Sequence, residues 1–295
     1  MNRKIDYKIN ENDTGKTVEG FLKERGCTHQ VLVRLKQTDH GILRNGIWAY
    51  TNERLCKDDL ITVQIVENEC SDNIAPVNLP LDIAYEDDDI IVINKPFDMP
   101  AHPSAGNHDN TLANALMYYY GSQNKPFVYR CINRLDRDTT GLTIVAKHAL
   151  AGGILGNAVA KRAIHRTYYA VCSGCTPACM RISAPIARKD ASTIERCVDF
   201  KRGENAVTDF IRIKYNPDNN LSLVKLRLLT GRTHQIRVHM KYIGFPLIGD
   251  FLYNPDYTYI SRQALHSGRL VFTHPVTGQK MNLISDIPSD MKSLF

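Results

Sequence analysis

The chain has 295 residues, 43% apolar and 23% charged, which supports a packed core and excludes a disordered or low-complexity protein. No apolar run approaches the ~20 residues of a membrane-spanning helix, and the charged start, Met1 to Lys8, lacks the apolar stretch of a secretory signal. A cytoplasmic protein with no membrane partner is therefore expected. The net charge of +6 is uneven: residues 1–79 hold 11 basic against 12 acidic side chains, whereas 130–250 hold 20 against 9. Such a basic zone fits either a polyanion partner or a solubilising surface.

The predicted elements begin with a small module. Val18, Phe21 and Leu22 have helical spacing, and Leu32 with Leu35 repeats it. Asn45-Gly46 between apolar runs signals a hairpin, because both residues tolerate positive φ. Ile61 to Val66 alternates as a strand. Residues 67–79 have no periodicity and read as a linker.

From Leu81 the texture changes to many strands with few helices. Ile83–Tyr85 and Ile90–Ile93 flank an acidic turn. Leu142–Ala146 reads as a strand, and Ala149–Ala163 as a helix weakened by three glycines. Arg166–Val171, Val207–Tyr215 and Leu221–Leu229 read as strands. A helix over Thr233–Ile243 buries Ile236, Met240 and Ile243, with Thr233 as a candidate cap. Two late strands fit Arg269–Thr273 and Lys280–Ile284. Without regular βαβ alternation, the class is α+β with a mixed or antiparallel sheet.

Three constellations could carry chemistry. Asn133 to Gly141 places two carboxylates among arginines. Guanidinium lowers a carboxyl pKa by about 1–3 units, so such an Asp suits a nucleophile or an electrostatic stabiliser; a surface turn with ion pairs is the plainer alternative. Leu229 to His239 puts Arg232 beside a helix start, which favours an anion, and places His234 and Arg237 on one face. Tyr168 and Tyr169 point to opposite faces of a strand, so one could face a cleft while the other packs.

No Walker loop, dinucleotide fingerprint or nucleophile elbow occurs. His234 and His239 are five apart and miss the usual metal spacing. Cys172, Cys175 and Cys179 lack a second half-site and read as ordinary reduced thiols. No cofactor and no metal are expected.

Together these segments resemble the RluA-type pseudouridine synthases, which isomerise uridine in structured RNA. The resemblance runs in order through Tyr85-Glu-Asp, Asn94-Lys-Pro96, His102-Pro-Ser104, Thr111-Leu112, Arg134-Leu-Asp-Arg-Asp-Thr-Thr-Gly141 and Arg166-Thr-Tyr168. It continues through Thr230-Gly-Arg-Thr-His-Gln-Ile-Arg-Val-His239, Gly249-Asp250 with Tyr253, Leu265-His266 and His274-Pro275. It implies a pseudouridine synthase fold over 80–295, with a mixed, mostly antiparallel sheet and flanking helices. Residues 1–66 would form a degenerate S4-like α+β module, although a slightly acidic one, and 67–79 the linker between them.

The resemblance also implies roles. Asp136 would be the essential aspartate and Tyr168 the residue that packs on the flipped base and takes the C5 proton. Arg237 would hold Asp136 ionised, Arg134 would fill the place of the extruded uridine, and Ile236 would pack against the base. Arg232 and Lys95 would contact or support the RNA. The partner would be ribosomal RNA ahead of transfer RNA, and the protein a monomer. Asn133 replaces the family's usual His, and Phe97-Asp98 replaces smaller residues, which is expected to place a ring and a carboxylate near the cleft. A noncatalytic RNA-binding or ribosome-assembly protein on the same fold is the alternative reading.

Overall fold

The structure, a computed structural model, describes residues 2–104, 106–190, 192 and 194–295. Residues 2–66 build their own antiparallel sheet. It is made of β1 (Asn2–Lys8), β2 (Ile42–Arg44), β3 (Ile47–Trp48) and β4 (Leu60–Val66), in the order β1-β4-β2-β3. Helices α1 (Val18–Glu24) and α2 (His29–Gln37) start at Thr17 and Thr28, whose hydroxyls accept from the backbone of Gly20 and Val31. The β2–β3 turn has positive φ at both Asn45 and Gly46, as a two-residue hairpin of this hand demands. Strand β1 was not anticipated, because its sequence is mostly charged. Ile5 is nevertheless buried in the core beside Phe21, and Tyr7 packs against that core.

Residues 67–79 contain no regular element, yet they do not hang free. Ser71 N–H donates to Phe127 O and Val77 N–H to Asn114 O, and Ile74 and Leu79 pack against the core cluster under the following sheet.

The remaining chain forms, in order, β5 (Ile83–Glu86), β6 (Ile90–Lys95), α3 (Leu112–Gly121), β7 (Thr140–Ala146), α4 (Ala149–Ala160) and β8 (His165–Ser173). Then come β9 (Cys179–Ser183), β10 (Ile186–Arg188), β11 (Arg196–Val198), β12 (Val207–Asn216) and β13 (Leu221–Leu228). The chain ends with α5 (Gln235–Tyr242), β14 (Leu265–Thr273), β15 (Lys280–Ile284) and α6 (Ser289–Lys292). A nine-stranded sheet runs β5-β6-β7-β14-β8-β13-β12-β9, with β15 on β14. Every pairing is antiparallel except β7 with β14. The fold is thus α+β with a mixed, mostly antiparallel sheet.

The β7–β14 seam is very tight. Gly141 has φ of +106°, and a Cβ there would lie 2.3 Å from Ser267 O. Only glycine fits. The Asp136 loop enters the sheet at this seam, and the β13–α5 turn lies across from it.

Helix α4 forms despite its glycines because they let it dock. A Cβ on Gly153 would lie 2.9 Å from Thr28 Cγ2, and one on Gly152 3.1 Å from Arg130 Cδ. Leu150 of α4 belongs to the core of the amino-terminal sheet. Across the same junction Arg3 donates to Asp89 at 2.7 and 3.1 Å. His148 Nδ1 accepts from Ala151 N–H, so Nε2 carries the proton and donates to Asp89 at 3.0 Å.

Helix α5 begins later than the sequence suggested. Its cap is His234, in the left-handed region at φ 56°, with no side-chain cap bond, so Thr233 is not the cap. Gln235 replaces it: its Oε1 accepts from Arg232 N–H and Thr230 Oγ1, and its Nε2 donates to Val207 O and Thr208 Oγ1. That side chain ties the turn to β12, which leaves Thr233 exposed.

The candidate active site

Two loops meet over one apolar layer. Leu135, Tyr168, Ile236, Met240 and Leu265 share a buried cluster, so the Asp136 loop, β8 and α5 are packed together from below. Loop 133–139 is pinned on all sides. Asn133 Nδ2 donates to Leu142 O, and its Oδ1 accepts from Ile144 N–H at 2.8 Å. Thr139 accepts from Gln263, and Thr140 shares a hydrogen with His266 Nδ1 at 2.8 Å. Asn133 is thus 3% exposed and occupied by the backbone of β7. Its amide supplies one donor and one acceptor to a single strand, so the departure from histidine serves the loop's seating.

Asp136 lies with its side chain 30% exposed at the base of a cleft of about 980 Å³. Six arginines line that cleft, residues 134, 137, 162, 166, 227 and 232, and Asp136 is the one acidic side chain among its lining residues. Arg237 Nη1 donates to Asp136 Oδ2 at 2.9 Å. Arg237 is itself clamped, with Nε and Nη2 each donating at 2.7 Å to Asp250, which is fully buried. The rings of Tyr253 and Phe251 stand 5.0 and 5.3 Å from its guanidinium carbon. A bidentate pair on one side of a planar fork fixes the remaining N–H on the other.

His234 completes the surroundings. Tyr253 Oη accepts from Arg196 N–H at 2.9 Å and shares a hydrogen with His234 Nδ1 at 3.0 Å. His234 Nε2 lies 4.0 Å from Asp136 Oδ2. Burial pushes the His234 imidazole below its usual value. Packing around Asp136 opposes its charge, but His234 and Arg237 outweigh that and hold the carboxyl below its ordinary range. The site therefore presents an ionised oxygen at neutral pH.

The other anticipated residues fall in distinct places. Tyr168 lines not that cleft but a smaller adjoining cavity of about 90 Å³, which it shares with Asp136 and Ile236, and it is 4% exposed. Burial raises its phenol above 10, against the opposing effect of Arg166, so the resting hydroxyl keeps its proton. Tyr169 packs on the opposite face of β8, in another cluster. Ile236 forms apolar floor at 4% exposure. Arg134 is exposed at the cleft wall, with no hydrogen-bond or ion-pair partner among the described residues. Arg232 stands at the rim, paired with Glu204.

Lys95 is buried at 1% exposure, which fits the supporting alternative of the two the resemblance implies. Its amine donates to Pro96 O at 2.7 Å and Arg137 O at 2.8 Å, tying the Asp136 loop to β6. Burial pushes that amine down to about 7, against the pull of Asp136 and Asp138. Phe97 and Asp98 do not wall the cleft. The Phe97 ring lies 5.8 Å from the Arg262 guanidinium carbon, and Asp98 3.7 Å from Arg137 Nε.

His239 is buried away from His234, held by Thr208 Oγ1 and Ala184 O at 2.9 Å each. Cys172 is buried in β8, while Cys175 and Cys179 are exposed. Sequence reasoning gave no role to Asp250, Tyr253 or the His234 contact with Asp136. A buried acid thirteen residues after Arg237 is the signal that could have exposed the clamp.

The model of a family described as RNA pseudouridylate synthase matches residues 89–242. A Bacillus subtilis protein described as uncharacterized RNA pseudouridine synthase YjbO is 38% identical over 95% of this chain and 98% of its own length. The ribosomal large subunit pseudouridine synthase D of Haemophilus influenzae is 41% identical over 78% of this chain and 75% of its own. Among solved structures, human RNA pseudouridylate synthase domain containing 1 superposes with a TM-score of 0.60 at 26% identity. That match covers 70% of this chain and 83% of the human one.

Proposed function

The chain belongs to the RNA pseudouridylate synthase family, and from that premise we propose that it isomerises particular uridines of ribosomal RNA, by flipping the base and using Asp136. It is an isomerase acting on RNA. The reaction breaks the N1–C1′ bond, turns the uracil and joins C5 to C1′; C5 loses a proton and N1 gains one, so nothing is consumed.

The observation that carries the assignment is the ionised Asp136, held by the Asp250-clamped Arg237 at the base of an arginine-lined cleft. The uridine's sugar carbon meets that oxygen. Arg134, unpartnered at the cleft wall, takes the base's place in the stack, offsetting the few kcal/mol that flipping costs. Ile236 and the Tyr168 ring sandwich the uracil, which keeps the detached base from leaving. Tyr168 takes the C5 proton as phenolate, a form that burial keeps scarce at neutral pH and that grows as pH rises. Arg232 contacts phosphate, and Lys95 positions the loop from beneath. The enzyme works in the cytoplasm as a monomer.

Asp136→Asn removes charge and almost no volume. We expect turnover to vanish while the thermal unfolding transition survives. Chemical mapping of pseudouridine in ribosomal RNA, from cells lacking the gene and cells restored with either form, is the measurement. A mark restored by Asp136→Asn rejects the assignment.

A further inference from the structure

Beside the main cleft lies a second cavity of about 520 Å³, whose charged lining is Arg188, Arg196, Arg202, Arg232 and Glu204. Arg188 and Arg196 face each other directly across the β10–β11 ribbon. Like charges placed opposite destabilise a strand pair, so the ribbon carries a cost with no benefit to the fold alone.

The neighbours do not cancel these two charges. Arg202 is neutralised by Asp190 and Asp199, and Arg232 by Glu204. Arg196 Nη1 finds only the carbonyls of Ile194 and Glu195, at 3.3 and 3.2 Å. The Arg188 guanidinium meets no hydrogen-bond or ion-pair partner among the described residues.

The ribbon is rigidly seated. Ile186 and Glu204 exchange two backbone hydrogen bonds of 2.9 Å, and Asp199 N–H donates to Pro185 O at 3.0 Å. A Cβ on Gly203 would lie 2.3 Å from Asp199 O and 2.7 Å from Pro185 C, so no side chain fits at this corner. The backbone that carries the two arginines is therefore set before any ligand arrives, while the Arg188 guanidinium stays unengaged.

Gly231, Arg232 and Thr233 line both this cavity and the cleft that holds Asp136. Only Ile186 and Ala187 offer apolar surface in the lining, and no aromatic ring does. A base has nothing to stack on there, whereas a phosphate meets two unopposed guanidinium groups.

We infer that this cavity is a phosphate subsite for the RNA strand flanking the target uridine, with Arg188 and Arg196 as its ligands. It rests on the RNA reading above and adds where the strand leaves the cleft. The subsite grips backbone and carries no base preference of its own.

The test measures binding of a large-subunit ribosomal RNA transcript to the full chain across a range of KCl concentrations. Each phosphate contact contributes about 0.7 to the salt slope for a single strand. The Arg188→Ala/Arg196→Ala double variant should bind about tenfold or more weakly, with a slope shallower by about 1.4. Arg188→Lys/Arg196→Lys keeps the charge and should keep most of the slope. Arg269→Ala, on an exposed arginine bonded to Asn282, controls for net charge and should change little. A double alanine variant with wild-type affinity and slope overturns the subsite. Wild-type protein that binds this RNA but never isomerises it overturns the proposed function and leaves the subsite standing. Wild-type protein without affinity for the RNA overturns both.

Discussion

Arg237 is where the electrostatics of the site converge, because its fork is divided between Asp250 and Asp136. Removing it reverses a sign. Packing alone pushes the Asp136 carboxyl up, and His234 and Arg237 are what bring it down. In Arg237→Met we expect the acid limb of the rate–pH profile to move up by a unit or more, with turnover reduced at neutral pH. Single-turnover rates between about pH 4 and 8 check this; an unmoved acid limb contradicts it. At this scale the sequence was informative wherever a motif implied a partner, as for Arg237 with Asp136. It was silent where the partner is fixed only by the fold. Nothing in the spacing says that Tyr253 should orient His234, or that Lys95 should end beneath the loop rather than on the surface.

Helix α4 separates two effects of glycine. Gly156 has nothing within 4 Å of a would-be Cβ, so alanine there brings only its better helix propensity. Gly156→Ala should stabilise the protein by about 0.5–1 kcal/mol. Gly153→Ala has the same propensity gain but drives a methyl into Thr28, whose hydroxyl caps α2 and so cannot turn away freely. That variant should lose about 1–2 kcal/mol. Urea unfolding of the pair decides it, and two shifts of the same sign would refute the docking account. The regular elements were mostly legible, since their apolar periods are clear. Six escaped, β9 (Cys179–Ser183) and α6 (Ser289–Lys292) among them because each is short and buries one residue. Strand β1 is charged outside and buries little; α3 is apolar nearly all round and so has no helical stripe; β10 and β11 are three residues each. The shift in the start of α5 came from Gln235, whose side chain substitutes for a cap in a way no spacing rule encodes.

Across the whole molecule the amino-terminal sheet is fastened by an ionic clasp at Asp89. Burial raises that carboxyl, but His148 and Arg3 more than reverse it, leaving it well below the usual range. A carboxyl depressed in the native state stabilises fully above its unfolded value of about 4, and that contribution fades as pH falls towards the native value. We expect unfolding stability to drop as pH falls from about 5 to 3. Asp89→Asn should flatten that drop and cost about 1.5–3 kcal/mol at neutral pH. Urea midpoints across this pH range test both, and an unchanged slope in the variant counts against the clasp. The charge asymmetry of the chain fits this arrangement: the near-neutral first 79 residues meet the body through the Arg3–Asp89 and Glu67–Arg130 pairs, backbone bonds from Ser71 and Val77, and apolar and glycine contacts, while the basic residues gather around the cleft.

The one parallel seam among the described residues joins Thr140 to His266 across 126 positions. During synthesis, Asp136 emerges well before β14, so a nascent chain holds this carboxylate without the strand that seats its loop. The seating of that loop therefore waits until the carboxy-terminal part of the chain has been made.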